Sequence, residues 1–199
     1  MPHPTISIIT VCYNAEKYIE QTIQSVLQQS YPHIEYIIID GASTDNTLSI
    51  IRQYEKNISK LVSEKDNGLY DAMNKGLQLA TGDYVLFLNA DDLLRDDKVL
   101  ENIFQKFTGA DVYYGEALFI NEAGEQTGLR SQQTPHKVPE QLSWRSLQYG
   151  MVVSHQAFII RRSLAVQYDL RYKVCADIDW MIRCLKNCKT ICNTHLIIA

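Results

Sequence analysis

The sequence predicts an α/β domain, a mostly parallel central sheet flanked by helices, and three observations predict it. Short apolar, β-branched runs alternate with segments whose apolar residues recur at helical spacing. Several of the runs are apolar throughout, as strands covered on both faces are. Each early run also ends in a polar or acidic cluster, the arrangement of an open sheet whose strands all point the same way.

Thr5–Val11 is the first strand, and Ile19, Ile23, Val26 and Leu27 mark one face of the first helix, with Asn14 placed where an N-cap belongs. Tyr31-Pro32 ends that helix before a second strand, Ile34–Asp40. The turn Gly41–Asn46 leads to a helix carrying Leu48, Ile51 and Tyr54, and a third strand is expected at Ile58–Ser63. A third helix carries Leu69, Ala72, Met73 and Leu77, and Gly82 separates it from the strand Asp83–Leu88. Val99, Leu100, Ile103 and Phe107 belong to a fourth helix. Beyond a strand at Asp111–Leu118 the regularity fails: Glu122–Glu125 reads as a hairpin turn, and Ser131–Ser143 is polar with two prolines. A strand at Gln156–Arg161, a helix near Asp177–Leu185 and a last strand running into Ile198-Ala199 follow. An ending inside an apolar strand suggests a chain truncated at its C-terminus.

With 199 residues the chain fits one domain, 1–199, burying about 70% of its unfolded surface. Hydrophobic residues at 46% and charged residues at 21% exclude a disordered chain, and a net charge of −4 argues against nucleic acid as a partner. No apolar run approaches the roughly 18 residues of a membrane span, and the start MPHPTISIIT lacks a signal peptide's charged region and cleavage site. A cytoplasmic protein is expected. Five cysteines without CxxC spacing read as reduced thiols, and Cys184, Cys188 and Cys192 as small apolar packing residues rather than a metal site.

The polar residues collect at the strand ends: Tyr13-Asn14, Asp40 with Ser43-Thr44-Asp45, Glu64 with Asp66, and Asn89 with Asp91-Asp92. In an open α/β sheet this edge binds ligands. It is acidic, so a nucleotide there needs a divalent cation between protein and phosphate. Asp91 and Asp92 offer hard oxygen ligands for Mg²⁺ or Mn²⁺; the alternative is that they cap the next helix. Ser43, Thr44 and Asp45 read first as caps. Asp40 closes an apolar strand, where a buried carboxylate needs donors or a ligand. Asp177 and Asp179, two apart on a helix, point in different directions, so at most one faces a cleft while the other pairs with Arg183. A lone histidine such as His155 is more often a satisfied structural residue than a catalyst.

Four segments in order, SIITVCYNAEKYIEQTIQSVLQQSY, IIIDGASTDNT, SEKDNGLYDAMNKGLQLATGDYVLFLNADD and HQAFIIRRSL with ADIDWMIRCL, resemble inverting glycosyltransferases of family 2, which have the GT-A nucleotide-sugar fold. The turn DG-x-STD with YDAMNKG is similar to the bacterial branch that builds surface polysaccharides. The resemblance implies a nucleotide-sugar-binding half (1–110) and an acceptor-side half (111–199). It implies substrate contacts at Val11, Tyr13, Asn14, Asp40, Asp66 and Asp91, and at His155 on the acceptor side. A Mg²⁺ or Mn²⁺ ion held by Asp92 with Asp91, and Asp177 as general base, complete the set. The implied partners are a nucleoside-diphosphate sugar donor, UDP-linked, and a glycan or lipid-linked acceptor, which brings in peripheral association with the inner face of the membrane. The sequence departs from the family pattern at Gly41 and Ala176, where acids are common, and at Asn89, which replaces an aspartate. A sugar nucleotidyltransferase, the alternative, would carry a glycine-rich basic loop that Val11-Cys-Tyr-Asn-Ala lacks. Asp91, Asp92 and Asp177 together argue against a non-catalytic nucleotide-binding module.

Overall fold

The computed structural model describes residues 3–121 and 123–199. The first half is a run of strand-helix units: β1 (Ile6–Cys12), α1 (Ile19–Leu27), β2 (Ile34–Asp40), α2 (Thr47–Gln53), β3 (Lys60–Ser63), α3 (Leu69–Leu79), β4 (Tyr84–Phe87) and α4 (Val99–Lys106). The second half adds β5 (Val112–Glu116), β6 (Leu118–Ile120), β7 (Gln126–Leu129), α5 (Arg130–Gln133), β8 (Phe158–Arg161), α6 (Ala176–Leu185) and β9 (Ile191–Ile197). Among the described residues seven strands form one sheet in the order β3-β2-β1-β4-β8-β5-β9. β3, β2, β1 and β4 are mutually parallel, β8 runs antiparallel to both β4 and β5, and β9 is parallel to β5. The expected mostly parallel α/β sheet is what forms.

Successive residues of each strand point to opposite faces, and both faces are covered. On one face Ile6, Ile8, Ile38 and Leu86 pack with Ile23 of α1 and Ile103 of α4. On the other, Ile9, Ile39 and Phe87 pack with Met73 of α3 and with Trp180 and Met181 of α6. This two-sided burial is why the strands are continuously apolar, and each fully buried large side chain contributes roughly 1.5–3 kcal/mol. All five cysteines are free thiols. Among the described residues no helix is long and apolar enough to cross a membrane.

The departures from expectation have local causes. Asn14 does not cap α1, which begins at Ile19 with Tyr18 at its N-cap; Asn14 instead takes a left-handed conformation, φ +49°. The expected strand Asp111–Leu118 breaks at a register shift between Tyr114 and Glu116, after which Leu118 leaves the main sheet to pair with Leu129 in a β6–β7 hairpin. Glu122, part of the expected turn, lies outside the described residues; Asn121 closes the turn, accepting a bond from Gly124 N at 2.8 Å on its carbonyl oxygen. One-turn 3-10 segments at Glu55–Asn57 and His155–Ala157 shorten the starts of β3 and β8. Within 130–152 the buried Arg130 replaces regular structure as the organiser, donating to the carbonyl oxygens of His136 (3.0 Å), Val152 (3.2 Å) and Met151.

Candidate functional site

The carboxyl ends of β1 and β2 and the start of α3 enclose a cleft of about 610 Å³, lined by Val11, Tyr13, Gly41, Ala42, Asp66 and Leu69 among others. Two loops laced together build its entrance. Asn14 donates its N–H to Ser43 Oγ (2.9 Å) and accepts from Thr44 N on its side-chain oxygen (2.9 Å). Ala15 N donates to Thr47 Oγ1 (2.7 Å), Glu16 N to Asp45 Oδ2 (3.2 Å), and Asn46 N to Glu16 Oε2 (2.9 Å). Ser43 and Asp45 are thus spent on the loops, and Asn14 contributes by shaping the entrance.

Asp40 is fully buried and does not line the cleft. Its carboxylate accepts from Ser43 N (3.2 Å), from the Ser43 hydroxyl and from Ser63 Oγ (2.6 Å), which answers the need for donors at a buried acid. Asp40, expected to contact substrate, here holds the turn that carries Gly41 and Ala42. Asp66 does reach the cleft. Its Oδ1 accepts from Lys75 Nζ at 2.5 Å, while its Oδ2 lies 2.9 Å from where a side chain at residue 41 would begin. A second acid at residue 41 would collide with and repel Asp66, and this is the physical reason for glycine there.

Asp91 and Asp92 do not cap α4, because that helix starts at Val99 and Asp96 accepts from Lys98 N at 2.9 Å instead. Asp92 Oδ2 accepts from Gln156 Nε2 (2.7 Å) and Asn89 N (3.3 Å). Burial, and then the neighbouring charge of Asp91, push the Asp92 carboxyl up to about 6. Asn89 Oδ1 is buried without a donor among the described residues. An orphaned amide oxygen beside a half-buried carboxylate and an exposed one is a hard-oxygen donor set that suits Mg²⁺ or Mn²⁺. No three His, Cys, Asp or Glu side chains converge among the described residues, so this protein would furnish only part of a cation's shell. The same two aspartates border a smaller cleft of about 300 Å³ beneath the β6–β7 hairpin, with Gln21, Leu118 and Ile120.

In the second half of the chain, α6 separates its two acids as helical geometry requires. Asp179 pairs with Arg183 at 2.7 Å, and Arg183 also donates to Gln167 O. Asp177, in the first turn, has no hydrogen bond or ion pair holding its carboxylate among the described residues. His155, expected as a substrate contact, is packed among aromatic rings. It is 4% exposed, stacks on Phe87 (5.3 Å between ring centres) and places Nε2 2.6 Å from Tyr168 Oη, and burial lowers its pKa to about 4.

The model of glycosyl transferase family 2 matches residues 7–168. The chain belongs to that family. A PGL/p-HBAD biosynthesis glycosyltransferase of Mycobacterium bovis is 32% identical over 210 aligned positions, covering all of this chain and 77% of that protein. Among solved structures, S. aureus TarS residues 1–349 superimposes with a TM-score of 0.79 at 24% identity, over 98% of this chain. Its complex with UDP-GlcNAc gives 0.78 at 22% over the same share. A mannosyltransferase from Pyrobaculum calidifontis, in complex with GDP-Man and Mn2+, gives 0.60 at 20% over 82% of this chain. The chain spans about three-fifths of the TarS 1–349 length, 59%.

Within this family 2 domain, three residues outside the strand-end clusters also shape the site, Tyr70, Lys75 and Gln156, and Asn89 acts there as a neutral oxygen donor. Tyr70 and Asn74 carried a readable signal. They lie four apart on α3, on the side carrying buried Met73 and Leu77, where a polar pair has to find partners. Gln156 had none, since its partner is 64 residues away.

Proposed function

We propose that the domain transfers a sugar, with inversion, from a UDP-linked donor to a hydroxyl of a glycan or lipid-linked acceptor in bacterial surface glycan assembly. The work would take place in the cytoplasm or at the inner face of the membrane. The donor half would be 1–110 and the acceptor half 111–199. The glycolipid-related name of the mycobacterial relative and the nucleotide sugars bound by the structural neighbours support this reading. The observation that carries the mechanism is the contrast on α6: Asp179 is neutralised by Arg183, whereas Asp177 keeps an unengaged carboxylate.

Asp177 takes the proton of the acceptor hydroxyl as that oxygen forms a bond to the anomeric carbon from the face opposite the diphosphate. The old carbon–oxygen bond breaks, and its electron pair leaves on the nucleoside diphosphate. One displacement inverts the centre without an enzyme adduct, and the base contributes about 10²–10⁴-fold. Val11, Tyr13 and the Gly41–Ala42 turn hold the nucleoside, with Asp66 Oδ2 as the acceptor for a base N–H. Asp92, Asp91 and Asn89 would hold a divalent cation, which supplies charge neutralisation on the departing diphosphate.

The test is release of nucleoside diphosphate from UDP-, GDP-, CDP- and dTDP-sugars with Mn²⁺ and with EDTA. Release from a UDP-sugar that requires Mn²⁺ is expected. Turnover undiminished in EDTA would overturn the metal assignment, and release of nucleoside monophosphate would point to a different bond being cut.

A further inference from the structure

Helix α6 opens without a cap of its own. Cys175, the residue before it, sits in the left-handed region at φ +60° and makes no side-chain hydrogen bond to the first turn, so the leading N–H groups need a partner from elsewhere. The partner comes from α3. Tyr70 Oη accepts from Ala176 N at 3.1 Å.

The phenol is held in place from two directions. Its ring stacks on Tyr168 (5.5 Å, 21° between planes), and Tyr168 stacks on Trp180 of α6 (5.0 Å, 9°). One turn along α3, Asn74 clasps the backbone of Tyr168, donating from Nδ2 to its carbonyl oxygen at 3.0 Å and accepting its N–H on Oδ1 at 2.7 Å. Three rings and a two-point amide contact therefore register α6 against α3. Burial first, and the Asp177 charge second, raise the Tyr70 pKa, so the phenol stays protonated with the carboxylate close by. Tyr70 also lies four residues beyond Asp66, which lines the nucleotide cleft.

From this geometry we propose that Tyr70 is a positioning residue for Asp177. Its hydroxyl caps α6 from the neighbouring helix and fixes the first turn that carries the Asp177 carboxylate, so that the helix whose start lines the donor cleft also sets the base. The inference rests on the reading of Asp177 as the base. A frayed first turn would let that carboxylate drift, and a displacement of about 1 Å costs up to about 10²-fold in rate.

Tyr70→Phe keeps the stack and removes only the hydroxyl. It should accelerate hydrogen exchange at the Ala176 amide, a measurement that needs no turnover. With Mn²⁺ and the UDP-sugar giving the fastest UDP release, it should lower kcat about 10-fold or more while leaving donor KM and UDP affinity unchanged. Combined with Asp177→Asn it should add no further loss, because the hydroxyl acts through that carboxylate. Unchanged amide exchange, wild-type kcat, a parallel loss of UDP affinity, a chain that fails to fold, or a loss additive with Asp177→Asn would each overturn the proposal. The two readings fail differently. Near-normal turnover in Asp177→Asn alone removes the base assignment, whereas a large loss there with an indifferent Tyr70→Phe removes only the positioning role.

Discussion

The two sides of the sheet's carboxyl edge treat their acids in opposite ways. On the side of β1, β2 and β3, acidic side chains are consumed by structure: Asp40 by two serines, Asp45 by backbone N–H groups, Asp66 in part by Lys75. Around β4 and α6, Asp91, Asn89 Oδ1 and Asp177 are left with oxygen atoms that no donor among the described residues satisfies, and Asp92 is half-buried beside Asp91. A saturated carboxylate fixes a loop, and an unsaturated one is available to bind or to accept a proton. The first side builds a rigid cradle; the second keeps the groups on which the proposed chemistry depends.

Asp40→Ala should break that contrast most heavily. It strands the Ser43 and Ser63 donors in a buried place and should cost about 2–4 kcal/mol of stability in urea denaturation. A cost below about 1 kcal/mol would mean that the turn is held without the carboxylate. Asp92→Ala should do the reverse, leaving the apo transition nearly unchanged. It should erase the gain from UDP with Mn²⁺, about 2.7 kcal/mol at 100 times the dissociation constant. Thermal shifts with and without EDTA read this out, and a full UDP–Mn²⁺ shift in the variant would contradict the assignment.

His155 supplies a pH signature. Its folded pKa of about 4 lies below the ordinary histidine value, so between the two the unfolded chain binds more protons and stability must fall as the medium is acidified. The loss should approach about 1 kcal/mol per pH unit from pH 6.5 toward pH 4. His155→Phe, which keeps the stack, should flatten that dependence; an unchanged slope would assign it to other groups. The smallest effect belongs to Gly41→Ala, which crowds Asp66 Oδ2 and should weaken UDP binding by about 1 kcal/mol in calorimetry. Unaltered affinity would show that Asp66 can yield.

The same contrast explains what could be read from the sequence. β1 through α4 are local units whose apolar period announces them, and β2 falls on Ile34–Asp40 as expected. The acidic strand ends were equally legible, because parallel topology alone gathers them. What was hidden depends on distant partners. Asn14 is turned left-handed by Ser43 and Thr44, about 30 residues on; α6 is capped by Tyr70, 106 residues away; and His155 is enclosed by aromatic rings from β4, α6 and residue 168. Whether a given acid at the edge is saturated or free is likewise a question of neighbours, which no local period encodes. The choice between Asp177 and Asp179 is the exception, because the i,i+4 spacing of Asp179 to Arg183 is visible in the chain itself.

The central claim is that the unengaged carboxylate of α6 is the base, and paired kinetics of Asp177→Asn and Asp179→Asn test it most directly. Each variant keeps the size of the side chain and removes proton acceptance. In Mn²⁺-dependent UDP release, Asp177→Asn should lose about 10²-fold or more in kcat with UDP affinity retained, and Asp179→Asn much less. Near-normal turnover in Asp177→Asn, or a greater loss in Asp179→Asn, would contradict the account.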